Sequence, residues 1–194
     1  MNRGIHSRGY LPHWDFKNSV QGITFRLFDS VPKDVILKWK RELEKIEDEV
    51  ARKEELHRKI SRYEDVGMGE CLLGIAEVAG IVCGKLHAED GCQYKLLEWC
   101  VMPNHVHVLI KLLPDHSLSD IVQKWKGGSS MEINCILKRS GALWAVDYYD
   151  RFVRDEDDYF SCRNYIRMNP VKVGLCENPE DWEFSSAWKE ERGL

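Results

Sequence analysis

The run Val101-Met-Pro-Asn-His105-Val106-His107-Val-Leu-Ile110 constrains the fold more than any other segment. Pro-Asn is a turn dipeptide, and the residues after it alternate with a period of two. In a strand, residues i and i+2 share a face. Val106, Val108 and Ile110 therefore turn one way, with Met102 assigned beside them, and His105 and His107 turn the other. The apolar set demands a core. The histidine set holds two imidazoles side by side, close enough to share one divalent metal. Residues 94–101 lead into the same turn, so the two segments read as an antiparallel hairpin. Two imidazoles are only half of a metal site, which needs at least one more ligand and something to act on.

The remaining segments supply helices and two further strands. Residues 22–28 alternate and are rich in β formers, which reads as a strand. Residues 32–63 read as one helix, with Ser30 as N-cap and Pro32 in the first turn. Ile36, Trp39, Leu43, Ile46 and Val50 form its apolar stripe, and Glu–Lys and Glu–Arg pairs lace the other face. Gly67-Met-Gly69 breaks the pattern, and a short helix follows over 75–87. Ser117 caps a helix from Leu118, with Gly127-Gly128 expected to interrupt it before Lys138. Residues 144–153 read as an edge strand. Residues 155–168 read as a helix with acids in its first turn, stopped by Pro170. This order is not strict βα alternation. It predicts an α+β sandwich, with an antiparallel sheet covered by helices on one face.

The chain has 194 residues, 43% hydrophobic and 31% charged, enough for one domain with a proper core. The expectation is a single domain over 1–194, with a charged helical elaboration at about 32–70. No apolar run has the length of a membrane span, and the first residues lack the apolar stretch of a signal peptide. A cytoplasmic protein with no membrane partner is expected. The seven cysteines form no CxxC pair, which argues against a zinc knuckle or redox motif; they read as buried free thiols. The net charge of −4 does not advertise a nucleic-acid binder, but binding needs only a local basic surface.

Tyr165 and Asn169 could complete the histidine pair. Four apart on a helix, they share one face. An Asn carbonyl is a competent oxygen ligand for magnesium or manganese. A tyrosine one turn away can serve as a nucleophile if a cation favours its phenolate. The residue before a proline is pushed from the helical region, which sets Asn169 at a frayed last turn. Taken alone, a helical tyrosine is more often the edge of a core. His57, His87 and His116 read as surface or satisfied core, His13 is undecided, and Glu98 is either a support for the histidines or a surface residue.

His-hydrophobic-His followed by Tyr-x-x-x-Asn-Pro resembles the HUH single-strand nucleases, and specifically the single-tyrosine, IS200-like transposases. Met102-Pro-Asn-His-Val-His107, Tyr148-Tyr-Asp-Arg151, Tyr165-Ile-x-x-Asn-Pro-Val-Lys172, Leu11-Pro-His-Trp14 and Pro179-Glu-Asp-Trp182 are similar to the REP-associated tyrosine transposases. Relatives often carry Trp-Gln where this chain has Trp144-Ala145. The resemblance implies a ferredoxin-like (RRM-like) palm, its central antiparallel sheet packed with helices. It implies His105, His107 and Asn169 as ligands of Mg2+ or Mn2+, and Tyr165 as nucleophile. The implied activity is that of a metal-dependent single-stranded DNA endonuclease and strand transferase acting at palindromic hairpin DNA through a 5′-phosphotyrosine. Lys124, Lys126, Arg151, Arg154, Arg163 and Arg167 are candidates for phosphate contacts, and Trp125, Tyr148 and Tyr149 for base stacking. The implied partner is single-stranded or hairpin DNA, the implied place the nucleoid, and monomer and homodimer both fit. The rival reading is a hairpin-DNA binder that keeps the fold without catalysis.

Overall fold

The computed structural model describes residues 19–189 and, before them, two short paired strands, β1 (Gly4–Ser7) and β2 (Pro12–Asp15). The side chain of His13 lies outside the described residues.

Strand β3 (Val20–Leu27) alternates strictly, burying Ile23, Phe25 and Leu27. It leads to two helices, α1 (Lys33–Leu43) and α2 (Glu49–Glu64), where the sequence predicted one. Asp48 makes the break: its carboxylate accepts the N–H groups of Val50 and Ala51 and caps α2. The restart changes the helical phase, so Ile36 and Leu43 are buried while Val50 is exposed. Ser30 caps nothing; its hydroxyl donates to the Leu27 carbonyl.

Helix α3 (Ala76–His87) is followed by the expected hairpin, β4 (Tyr94–Val101) and β5 (His105–Leu112). Helix α4 (Leu118–Ile136) runs straight through Gly127-Gly128. Its buried face, with Ile121, Val122, Trp125, Ser129 and Ile133, outweighs the poor helix propensity of two glycines. Strand β6 (Trp144–Phe152) lies at a sheet edge, as predicted. Helix α5 (Glu156–Lys172), capped by Asp155, continues past Pro170 instead of stopping before it. Ile166, Asn169 and Pro170 are all buried there, and that packing holds the helix through the missing N–H.

The four main strands stand in the order β4-β5-β3-β6, every neighbouring pair antiparallel. With a helical connection after β3, a hairpin, and a second helix before β6, this is the ferredoxin-like arrangement. The sheet is covered on both faces, not one. Helices α3 and α4 pack on the face carrying Ile23, Phe25, Val106, Val108 and Ile110, where Val82, Leu86, Leu118 and Trp125 fill the core. Helix α5 packs on the other face, where Cys162 and Ile166 meet Cys100 and Leu109. Met102 falls in this second cluster, because the turn after Val101 interrupts the alternation that would have set it with Val106. Only Cys100 and Cys162 of the seven free cysteines are buried, and Cys92 and Cys135 are exposed. No helix among the described residues is long and apolar enough to cross a membrane.

Candidate functional site

His105 and His107 lie on the α5 face of β5, both essentially buried. Their Nε2 atoms face each other at 2.9 Å. Each remaining ring nitrogen has its own partner. His107 Nδ1 meets the Thr24 hydroxyl at 2.9 Å, from the neighbouring strand position in β3. His105 Nδ1 meets Asn104 Oδ1 at 2.7 Å.

The bonding of Asn104 fixes a tautomer. Its amide nitrogen donates to the Glu64 and Met68 carbonyls at 3.1 and 3.0 Å, using both of its protons. Its oxygen can then only accept, so His105 carries its proton on Nδ1 and presents a bare Nε2. His107 Nε2–H donates to that lone pair, leaving His107 Nδ1 to accept from Thr24. A threonine hydroxyl can donate or accept, so Thr24 also suits the opposite tautomer of His107. Such outer partners set which nitrogen of a histidine is free to ligate. Burial lowers the pKa of both rings, that of His105 to about 3, and so keeps them neutral.

Helix α5 brings Tyr165 to the same place, with Asn169 one turn further along it. The Tyr165 ring lies 5.2 Å from the His107 ring, edge to face. Asn169, one turn on, is buried, and neither polar atom of its amide has a hydrogen-bond partner in the described residues. A buried amide without partners costs free energy, and a cation would satisfy its oxygen. No cluster of three or more His, Cys, Asp or Glu among the described residues could hold a metal. Asn169, on the helix that packs over these histidines, is a candidate oxygen donor beside them. The donor set is mixed: the imidazole nitrogens suit borderline ions such as Zn2+, and the amide oxygen suits harder ions such as Mg2+ or Mn2+.

Helix α2, which sequence reasoning read as a solvated elaboration, also reaches the site. Ser61 Oγ and Tyr165 Oη share a hydrogen bond of 3.1 Å, and Asp65, just past the helix, pairs with Lys172. His57 stacks on Tyr149 of β6, ring centroids 3.5 Å apart and nearly parallel. Beneath α2 lies a cavity of 390 Å³ that contains His57, Ser61, His107, Tyr149, Arg151 and Tyr165. Burial, reinforced by Arg151, lowers the His57 pKa to about 4, so this ring is neutral as well. Partial burial raises the Tyr165 phenol above its ordinary value, although the Ser61 hydrogen bond, Lys172 and the neighbouring Asn169 amide oppose the shift. A lone histidine on a charged helix gives no local signal of such a position.

The basic candidates divide. Arg151 lines the cavity and pairs with Asp158, and Arg154 pairs with the same carboxylate while remaining largely exposed. Arg163 and Arg167 both bond to Glu98, at 2.7 and 3.2 Å. Glu98 is buried and also accepts from Ser186, so it ties α5 to β4 and to the C-terminal segment. Lys124 and Lys126 sit on α4, across the sheet from the histidines, where Lys126 donates to the Val146 carbonyl. Trp125 and Tyr148 are buried in the core of that opposite face, while Tyr149 is in the site.

Residues 82–169, which include both histidines, Tyr165 and Asn169, match the family model for IS200-like transposases. A REP-associated tyrosine transposase of Escherichia coli (strain K12) is 30% identical over 103 residues, covering 52% of this chain and 59% of that protein. The chain thus spans less than two thirds of that curated relative. Among solved structures, a REP-associated tyrosine transposase bound to a REP hairpin is similar with a TM-score of 0.58 at 17% identity, over 93% of this chain and 81% of the other. That likeness establishes the α+β fold. The segment bearing the candidate site thus matches the IS200-like transposase family, and the chain is similar to the REP-associated tyrosine transposases in sequence and in fold.

Proposed function

We propose that this chain cuts and rejoins single-stranded DNA beside hairpins, as a metal-dependent endonuclease and strand transferase using Tyr165 as nucleophile. The observation that carries the reading is the meeting of Tyr165 with two neutral, oriented histidines on one face of the sheet, with the buried Asn169 amide one helical turn beyond it. The match to the transposase family and the hairpin-bound structural relative support it.

His105 and His107 through Nε2, and Asn169 through its amide oxygen, would hold Mg2+ or Mn2+. Bound there, the ion supplies polarisation of a non-bridging phosphate oxygen and relief of the charge that builds on it. Tyr165 Oη forms a bond to phosphorus as the bond to the 3′ oxygen breaks. The phenol loses one proton and the departing 3′ oxygen gains one, so the step is balanced. The product is a 5′-phosphotyrosine with a free 3′-hydroxyl, and no water is consumed. The ester bond is conserved in the covalent link, which suits strand transfer. Partial desolvation holds the phenol of Tyr165, still 40% exposed, above its usual pKa of about 10, and a cation nearby would favour its ionisation. Lys172, with its ammonium 5.9 Å from the Tyr165 ring centre, adds positive charge on the same side.

The test uses the chain with Mn2+ and 5′- and 3′-labelled oligonucleotides in which a hairpin is flanked by single strands. A denaturing gel should show a covalent adduct, and Tyr165→Phe should abolish it while hairpin binding persists. Binding without any adduct from the unsubstituted protein, across a randomised flank, would overturn catalysis and leave the hairpin-binding reading.

A further inference from the structure

The chemistry above does not use helix α2, yet α2 roofs the place where it would occur. Ser61 and Asp65 tie it to α5, and the His57–Tyr149 stack ties it to β6. A second cavity of 520 Å³ opens between the first turns of α2 and the end of β6, lined by Val50, Lys53, Glu54, Asp150, Phe152 and Arg154 among others. Both cavities border His57, Arg58, Tyr149 and Arg151, so they adjoin at the His57–Tyr149 stack, and taken together they line a channel along α2 from the surface to Tyr165.

The charge of this channel runs against that of the chain. Its walls carry Lys53, Arg58, Arg62, Arg151, Arg154 and Lys172, against the acids Glu54, Asp65 and Asp150, in a protein of net charge −4. Among the described residues, Lys53 and Arg58 pair with Glu49 and Glu55 of their own helix. Such pairs on a helix surface contribute little and exchange readily for a phosphate. Tyr149 and the partly exposed Phe152 add aromatic surface beside the basic groups, the combination that holds single strands without regard to sequence.

We propose that this channel is the path of single-stranded DNA to Tyr165, with α2 as a clamp over the strand. Phosphates contact Lys53, Arg58 and Arg154, and bases lie against Tyr149 and Phe152. A helix packed over the sheet in this way admits one strand and excludes a duplex. The choice of DNA as occupant rests on the proposed function; the channel and its charge do not.

The experiment measures binding of fluorescein-labelled (dT)20 by the full chain over a range of salt concentrations, for Lys53→Ala/Arg58→Ala, for Arg154→Ala and for Lys124→Ala on the opposite face. Each phosphate contact on a single strand adds about 0.7 to the slope of log K against log salt. The double variant should therefore lower the slope by about 1.4 and Arg154→Ala by about 0.7, with Lys124→Ala unchanged. A merely structural role would not move the slope, and unchanged thermal midpoints establish that the variants fold. Unchanged slopes in the channel variants, or a fall confined to Lys124→Ala, overturn the channel. The adduct assay separates this result from the chemistry. If adducts form while the slopes stay fixed, the channel fails alone; if the slopes fall and no adduct ever forms, the chemistry fails alone.

Discussion

Substituting Asn104→Ala tests the logic that presents His105 to a metal. The side chain makes two buried contacts, to His105 Nδ1 at 2.7 Å and to the Glu64 carbonyl at 3.1 Å, and a part-buried one to the Met68 carbonyl at 3.0 Å. Met68 is partly exposed, so its carbonyl can turn to water. The His105 N–H and the Glu64 carbonyl cannot, and an unsatisfied buried group costs roughly 1–3 kcal/mol. The expected loss is about 3 kcal/mol, which for a chain of this size lowers Tm by roughly 6–12 °C. Removing an outer partner of a ligating histidine typically weakens metal affinity roughly 10–100-fold. Calorimetric titration with Mn2+ reads the affinity. Long-range 1H–15N NMR reads the tautomer directly: His105 in the unsubstituted, metal-free protein should carry its proton on Nδ1 and His107 on Nε2. Asn104→Asp separates the two duties of the residue, since it keeps an acceptor for His105 and loses both donors. It should preserve the His105 tautomer while lowering stability. A His105 protonated on Nε2 in the unsubstituted protein, or unchanged Mn2+ affinity in Asn104→Ala, would refute the reasoning.

Glu64 should make stability depend on pH. Burial raises its carboxyl to about 7 in the folded protein, with Arg26 opposing and Asp65 reinforcing the shift. The folded state therefore binds more protons than the unfolded state between about pH 4.5 and 7, and stability falls with rising pH across that window. The decline attributable to this group is about 3 kcal/mol at most. Denaturant midpoints for Glu64→Gln should lack it, and a parallel decline in that variant sinks the assignment. Gly69 has φ +91°, and a Cβ there would meet the Asp29 carbonyl at 3.0 Å, whereas Gly67, at φ +75°, has open space around it. Gly67→Ala should cost about 1–2 kcal/mol and Gly69→Ala clearly more in urea unfolding; equal costs would show that the Asp29 contact does not matter. Replacing Arg163 and Arg167 together with alanine leaves the Glu98 carboxylate buried without its cations. It should lower the thermal midpoint more than Glu98→Gln does, and the reverse order would mean the arginines are not held by Glu98.

The hairpin was readable because its signal is local. Period-two alternation and a Pro-Asn turn lie within one segment, and β4 and β5 have the bounds that these imply. The site residues needed one long step, from β5 to α5, which helical spacing and the family resemblance supplied. Errors arose where packing overrode a local rule. Pro170 read as a stop and Gly127-Gly128 as an interruption, yet each lies in a helix whose buried face holds it together. Strand order was not readable, because β3 sits between β5 and β6 through contacts far apart in sequence. Nor was the part played by α2. Its phase depends on the restart at Asp48, and without that phase nothing directs His57 and Ser61 toward Tyr165. Glu98 looked ordinary because its partners lie 65 and 69 residues away.

The Tyr165 ring lies against His107 of its own chain, and Asn169 arrives on the same helix. All four side chains of the constellation are thus contributed by a single polypeptide. If the proposed chemistry uses these four side chains, it is unimolecular in protein once a strand is bound. The rate per molecule should hold constant under dilution, and a mixture with an excess of Tyr165→Phe copies should lose activity only in proportion to the active fraction. Subunit exchange would then have nothing to poison or to rescue.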